Sequence, residues 1–311
     1  MTKLVTIYGG SGFVGRYIAR RMAKAGWRVR VAVRRPNEAL FTKPYGVVGQ
    51  VEPVLCNIRD DASVAEVMHG ADAVVNCVGI LAEQGKNKFS AVQAEGAARI
   101  ARLAASAGIT KMVQISAIGA HAESASVYAQ TKARGENGVL EHVPNATILR
   151  PSIIFGPEDQ FFNRFAGMAR FGPILPIVGP ATKFQPVYVD DVAQAAEKAL
   201  LGQTEPGIYE LGGPDVVTFK GLMEKMLGVI RRRRLIIGLP FFVGKLMGAG
   251  FGVLTVLTGG IFQGPITRDQ VENLRTDNVV SDGSRHYSNS FGRRFAGISL
   301  AISSFRPIRR D

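Results

Sequence analysis

The sequence predicts an α/β fold, a doubly wound parallel sheet with a smaller C-terminal lobe, and three observations predict it. Apolar runs of strand length alternate with runs of helical period along the first half of the chain, as parallel strands joined by crossover helices require. The first strand ends in a glycine turn that opens a helix. With 311 residues and 46% hydrophobic content, the chain buries enough surface for a large α/β domain and an attached lobe, which excludes a disordered protein.

Leu4 to Tyr8 is the first strand, Gly9, Gly12 and Gly15 form the turn, and Phe13, Val14, Ile18, Ala19 and Met22 mark one face of the first helix. Gly9 lets the chain leave the strand sharply, Gly12 lets a pyrophosphate approach the backbone, and Gly15 lets the helix pack on the sheet. The free N–H groups and positive end of that helix face the ligand. Arg28 to Val33 is the second strand, ending at Arg34, Arg35 and Pro36. Guanidinium groups at that strand end favour a 2′-phosphate, so NADP(H) is expected in preference to NAD(H); a solvated basic loop is the alternative. Val51 to Cys56 is the third strand, followed by Asn57-Ile58-Arg59-Asp60, where Asn57 can hydrogen-bond an adenine edge. Ser63 and Glu66 form a capping-box pattern for the next helix. Ala73 to Val78, through Cys77, is the fourth strand and ends at Gly79; Phe89 to Ala105 is a helix, and Lys111 to Ile115 the fifth strand.

The fifth strand ends at Ser116, and Tyr128 and Lys132 follow on one face of a helix. An ammonium beside a phenol lowers its pKa so that it can pass a proton to a carbonyl held by a serine hydroxyl. The sixth strand, Thr147 to Leu149, leads into Arg150-Pro151-Ser152-Ile153-Ile154-Phe155-Gly156-Pro157, and later come Pro186-Val187-Tyr188-Val189-Asp190-Asp191 and Tyr209-Glu210-Leu211-Gly212-Gly213.

The positive charge is uneven. Residues 1–218 carry 23 Lys and Arg against 19 Asp and Glu, whereas residues 219–311 carry 15 against 6, so the excess belongs to the C-terminal third. Nucleic acid is not expected there, because the arginines lack interleaved aromatics or a binding module. After a helix at about 219–230 come Arg231 to Arg234, then an apolar run from Leu235 to Phe262 broken by Pro240, Lys245 and several glycines. Three readings stand: a membrane span, opposed by Pro240, the glycines and Lys245; a strand and a lobe helix packed inside; or a helix folded on the lobe with an apolar side exposed beside the arginines, as in a protein lying on an anionic bilayer. Thr267 and Gln270 offer a capping box for a last helix. Cys56 and Cys77 read as core thiols in a reducing compartment. The four histidines lack ligand spacing, so no metal is expected, and no signal or transit peptide is expected before the first strand.

The Gly-x-x-Gly-x-x-Gly turn, the Ser116/Tyr128/Lys132 set and the segments at 150–157, 186–193 and 209–214 resemble the extended and atypical branches of the short-chain dehydrogenase/reductase superfamily over about residues 3–275. The resemblance implies a Rossmann-type domain over 1–155 and an interleaved lobe over 156–283 with a docking segment at 231–262, and it implies that an Asp of the 186–193 segment caps the helix that follows. The resemblance ends by Ser284, and the Ser, Gly and Arg content of 284–311 reads as a mobile tail. It implies a cofactor site built from Gly9, Gly12, Phe13, Val14, Gly15, Arg34, Arg35, Asn57, Ile58, Cys77, Val78, Gly79, Ser116, Tyr128, Lys132, Pro151, Ile153 and Ile154, with Tyr128, Lys132 and Ser116 as the ancestral catalytic set. The glycine turn, the Arg-rich second strand, the basic-apolar segment and Ile266-Thr267-Arg268-Asp269-Gln270-Val271-Glu272 together resemble one narrower family, the nucleotide-binding accessory subunit of mitochondrial-type respiratory complex I. That implies a tightly held NADPH, complex I subunits and an anionic membrane surface as partners, and no part in electron transfer. The expected place is peripheral, on the cytoplasmic face of a bacterial inner membrane or the matrix side in a mitochondrion. A free-standing NADPH-dependent reductase or epimerase acting on a carbonyl or sugar nucleotide is the alternative.

Overall fold

The computed structural model describes residues 2–257 and 267–282. Ile266 and the expected mobile tail at 284–311 lie outside them, as does the end of the expected docking segment, 258–262.

The chain runs β1 (Leu4–Tyr8), α1 (Phe13–Lys24), β2 (Arg28–Val33), a 3₁₀ segment (Pro36–Tyr45), β3 (Val51–Leu55), α2 (Asp61–Met68), β4 (Ala73–Asn76), a π turn (Ser90–Ala94) continuing into α3 (Glu95–Ser106), β5 (Met112–Ile115), α4 (Val127–His142) and β6 (Thr147–Pro151). Then follow β7 (Ile154–Phe155), α5 (Phe161–Phe171), β8 (Ile174–Val178), β9 (Lys183–Phe184), β10 (Val187–Tyr188), α6 (Val189–Leu200), β11 (Gly207–Leu211), β12 (Val217–Thr218), α7 (Phe219–Val229), β13 (Leu235–Leu239), α8 (Phe241–Leu257) and α9 (Arg268–Asn273).

Seven strands form one parallel sheet in the order β11-β6-β5-β4-β1-β2-β3. Strands buried on both faces are near-continuously apolar, as β1 and β4 are. Ile18, Met22, Val192 and Ala196 of α1 and α6 cover one face, while Val64, Ile100, Ala104 and Val139 of α2, α3 and α4 cover the other. The strand order reverses between β1 and β4, and a ligand crevice opens beyond the carboxyl ends of strands at such a point. A separate lobe core gathers Phe155, Phe162, Leu175, Phe219, Leu222 and Met226. β11 leaves that lobe to pair with β6 in the main sheet.

Two expected caps form differently. Asp60, not Ser63, caps α2: its carboxylate accepts from the Ser63 N–H at 2.9 Å, and the Ser63 hydroxyl accepts from the Asn57 N–H at 3.0 Å. The helix starts at Asp61, three positions too early for Ser63 to serve. Nor does an Asp side chain cap α6. Asp190 sits in its first turn and takes a bidentate pair from Arg21 at 2.6 and 3.0 Å, because α1 lies alongside. The Thr267–Gln270 capping box forms as expected.

The described part of the C-terminal segment folds on the lobe as a strand and a helix and leaves an apolar side of that helix open. β13 pairs with β8 and α8 follows Pro240. Phe242 and Leu246, one helical turn apart, are 71% and 74% exposed, and Arg231, Arg232 and Arg233 are exposed nearby in sequence. Among the described residues no helix is long and apolar enough to cross a membrane. The glycines that weaken α8 as a helix let it dock: a Cβ on Gly244 would lie 2.8 Å from the Val178 side chain, and one on Gly248 2.8 Å from the Arg268 nitrogen. Lys245 pairs with Glu272 of α9 at 2.7 Å.

Candidate nucleotide site

The glycine turn meets the end of β4 to make a cradle. Gly9 has φ +74°, open to glycine at little cost, and a Cβ there would lie 3.3 Å from the Cys77 carbonyl carbon and from the Val78 nitrogen. The Gly12 N–H donates to the Gly9 carbonyl at 2.9 Å. At Gly15 a Cβ would stand 2.4 Å from the Gly9 carbonyl oxygen and 2.7 Å from Gly10 Cα, closer than any side chain permits. No side chain caps the start of α1 at Gly12, so its first N–H groups face the crevice, as anion binding requires. Phe13 packs on the opposite wall, where a Cβ on Gly156 would be 3.2 Å from its ring. Val14 lies partly buried against the sheet core.

At the end of β2, Arg34 and Arg35 are exposed, and Arg35 pairs with Glu38 at 2.9 Å. A third cation joins the turn itself. Arg16 donates to the carbonyls of Ser11 and Gly12 at 3.0 and 3.2 Å, and its guanidinium lies 4.7 Å from the Phe41 ring centroid. Asn57 uses its carbonyl to accept from the Arg59 N–H. Ile58 turns into the core, touching Gly96, rather than into the crevice.

The Ser116, Tyr128 and Lys132 set converges at the ends of β5 and α4. The Lys132 Nζ donates to the Ile115 carbonyl at 3.2 Å and lies 5.9 Å from the Tyr128 ring centroid; a Cβ on Gly79 would be 3.4 Å from it. Burial lowers the Lys132 ammonium to about 8, against the opposing influence of Glu136 and Cys77. The lowering of the Tyr128 phenol expected from Lys132 does not occur. Burial, and then the Asp269 carboxylate, push it up to about 12, because desolvation of a phenolate outweighs a neighbour that itself tends to lose its charge. Burial also raises the Cys77 thiol to about 12. Ser116 donates its hydroxyl proton to buried Glu136, which also accepts a forked pair from Arg150 at 2.5 and 3.0 Å. With its proton on a carboxylate, Ser116 presents lone pairs rather than a donor to the crevice.

Pro151, Ile153 and Ile154 lie where β6 passes into the lobe: the Pro151 carbonyl accepts from Ile118 at 3.0 Å and that of Ile153 from Val187 at 2.9 Å, while Ile154 pairs with Val187 in β7 and β10.

Four site residues went unnoticed in the sequence: Arg16, Gln93, Glu136 and Asp269. Arg16 was findable as the basic residue directly after the third glycine. Gln93 sits on the π turn, 3% exposed, and its Oε1 finds no partner among the described residues; a Cβ on Gly79 would be 3.9 Å from it. A buried unpaired carbonyl at the end of β4 is a place for a ligand hydroxyl or amide. The glycine cradle, the cations at its rim and this open acceptor fit a dinucleotide. Lys132 and Tyr128 would hold its nicotinamide ribose, and the helix start its pyrophosphate. Among the described residues no cluster suits a metal.

A family model described as the NAD dependent epimerase/dehydratase family matches residues 5–212. NADH dehydrogenase [ubiquinone] 1 alpha subcomplex subunit 9, mitochondrial, of Arabidopsis thaliana is 35% identical over 293 residues, covering 92% of this chain and 73% of that protein. Ceramide reductase of Caulobacter vibrioides is 30% identical over 190 residues, covering 61% of this chain and 58% of the relative. The solved Bordetella bronchiseptica enzyme WbmH in complex with NAD+ superposes with a TM-score of 0.72 at 18% identity, covering 98% and 97% of the two chains, which shows the shared fold.

Proposed function

The chain belongs to the NAD dependent epimerase/dehydratase family and, within it, to the group of the alpha subcomplex subunit 9 proteins, and on that premise we propose that it is an NADPH-holding accessory subunit of a respiratory NADH:ubiquinone oxidoreductase. It lies peripherally on the cytoplasmic face of the membrane and strengthens the assembly instead of passing electrons. The observation that carries this reading is α8. A match covering 92% of the chain necessarily includes the basic-apolar segment, and there Phe242 and Leu246 stand exposed on one helix face. An apolar face near a run of arginines suits other subunits and an anionic headgroup layer.

The crevice supports holding over turnover. Arg34 and Arg35 favour a 2′-phosphate, Lys132 grips the ribose, and the start of α1 holds the pyrophosphate. NADPH in that place would bring a transferable hydride. The residues around it are poorly set to use one: the Ser116 hydroxyl already donates its hydrogen bond to Glu136, and a phenol raised to about 12 keeps its proton. Native purification from membranes, identification of co-eluting subunits and assay of the released nucleotide test the reading. Recovery with respiratory subunits and bound NADPH is expected. A protein that emerges from gentle lysis soluble and alone would overturn it.

The second reading, a free-standing NADPH-dependent reductase, draws on the presence of Ser116, Tyr128 and Lys132 together and on the match to a ceramide reductase. Tyr128→Phe separates the two, abolishing turnover in a reductase and leaving assembly of a subunit intact.

A further inference from the structure

The first turn of α4, the helix that carries Tyr128 and Lys132, is closed by a residue 143 positions away in sequence. Asp269 accepts from the Ser126 hydroxyl at 2.8 Å, from the Val127 N–H at 2.8 Å and from the Tyr128 N–H at 3.4 Å. Ser126 Oγ in turn accepts from the Ala129 N–H at 3.3 Å, and the Ser126 carbonyl from the Gln130 N–H at 3.0 Å. Every N–H of that turn thereby has a partner, and two of the four depend on Asp269 directly.

Asp269 belongs to α9, which is equally bound to α8. Glu272 pairs with Lys245 at 2.7 Å, Arg275 lies 4.9 Å from the Phe241 ring centroid, and Gly248 brings the two backbones into contact. The same segment continues across the crevice rim. Thr182 donates to the Leu274 carbonyl at 2.6 Å, the Lys183 N–H to Asp277 at 2.8 Å, and the Ser152 hydroxyl to the Asn278 side chain at 2.6 Å. A shift of α9 therefore disturbs the start of α4 and the seat of α8 together.

We infer that Asp269 is a positioning residue for Tyr128 and Lys132, and that α9 couples occupancy of the cradle to the seating of α8, the face offered to partners. The inference rests on the reading that the cradle holds NADPH. Linkage makes it reciprocal: a nucleotide that orders α4 orders α8, and a partner that fixes α8 tightens the nucleotide by the same factor.

Hydrogen exchange on the full chain, with and without NADPH, tests it. In the parent protein NADPH should slow exchange at residues 9–15 and also at 241–250 and 267–275. Asp269→Ala should keep the effect at 9–15, lose it at 241–250 and weaken NADPH about fivefold; Asp269→Asn, which keeps one acceptor oxygen, should fall between. Lys245→Met removes the ion pair between α8 and α9 without touching α4, so it should weaken the slowing at 241–250 while leaving that at 9–15 as in the parent. Slowing confined to 9–15 in the parent overturns the coupling and leaves the NADPH reading standing. Slowing at 241–250 that survives undiminished in both Asp269→Ala and Lys245→Met overturns the route through α9. No slowing at 9–15 removes the NADPH reading and the coupling with it.

Discussion

Replacing Lys132 with methionine keeps much of the length of the side chain and removes a charge that burial disfavours. Lys132 is 6% exposed, and burial brings its ammonium from the usual 10.5 down to about 8. Below pH 8 the folded protein carries a buried cation whose cost the unfolded chain does not bear. As pH rises through about 8 the folded chain releases this proton, while the unfolded chain keeps its own to about 10.5. Between those values the unfolded state binds more protons, so stability rises with pH. At about 1.36 kcal/mol per pH unit the gap amounts to about 3 kcal/mol. Loss of the Nζ hydrogen bond to the Ile115 carbonyl offsets about 1 kcal/mol of it. Without nucleotide, Lys132→Met should therefore be more stable than the parent by about 2 kcal/mol at pH 7, with the advantage vanishing by about pH 10. Burial raises the thiols of Cys56 and Cys77 to about 11 and about 12; groups raised in this way lose stability above their unfolded value of about 9 in both proteins. Because Lys132 also acts on the Cys77 thiol, the difference between the two curves isolates Lys132 below about pH 9, where both thiols keep their protons. Urea unfolding from pH 6 to pH 10, repeated with NADPH, reads it, and NADPH should stabilise the parent far more than the variant. A variant less stable than the parent at pH 7, or a difference that stays constant from pH 7 to pH 10, would refute the reasoning.

Gly15→Ala pushes a Cβ to 2.4 Å from a backbone oxygen, so it should cost about 1–3 kcal/mol and weaken NADPH more than tenfold in a fluorescence titration. Gly167→Ala, in a helix with nothing within 4 Å, should be neutral or stabilising. Glu136→Ala strands Arg150 and Ser116; because Arg150 keeps 23% side-chain exposure, a loss of about 3 kcal/mol by chemical unfolding is expected, the low end for a broken buried pair, with partial recovery in Glu136→Ala/Arg150→Met. Phe242→Asp with Leu246→Asp should leave the melting temperature within about 2 °C, since both side chains are exposed, yet abolish sedimentation with anionic vesicles and with respiratory membranes.

What was legible in the sequence was what the backbone enforces locally. Gly9 and Gly15 are dictated by a strand meeting a helix within a few residues, and Thr267 with Gln270 closes its own helix, so both read correctly. The alternation of β1 to β6 was legible because each strand is buried on both faces. Competition between nearby acceptors was not: Asp60 and Ser63 could each cap α2, and only the start at Asp61 decided it. Partners from afar were invisible. Glu136 draws the Ser116 proton from 20 residues away and Arg21 draws Asp190 across 169, so a serine expected to face a carbonyl faces a carboxylate, and an aspartate expected to cap a helix binds an arginine. The two-residue strands of β7–β10 and β9–β12 likewise give too little periodic signal to be read.

The return of β11 to the main sheet governs how the chain can be cut and how it folds. Until Leu211 has been made, β6 stands as a bare outer strand with its hydrogen-bonding groups open to any neighbouring polypeptide. A fragment ending near residue 155 would expose that edge permanently and should self-associate, although it carries the whole glycine turn. During synthesis the lobe must emerge before the sheet can close, so the nascent protein passes through a sticky interval that ends only when a strand born late settles beside one born early.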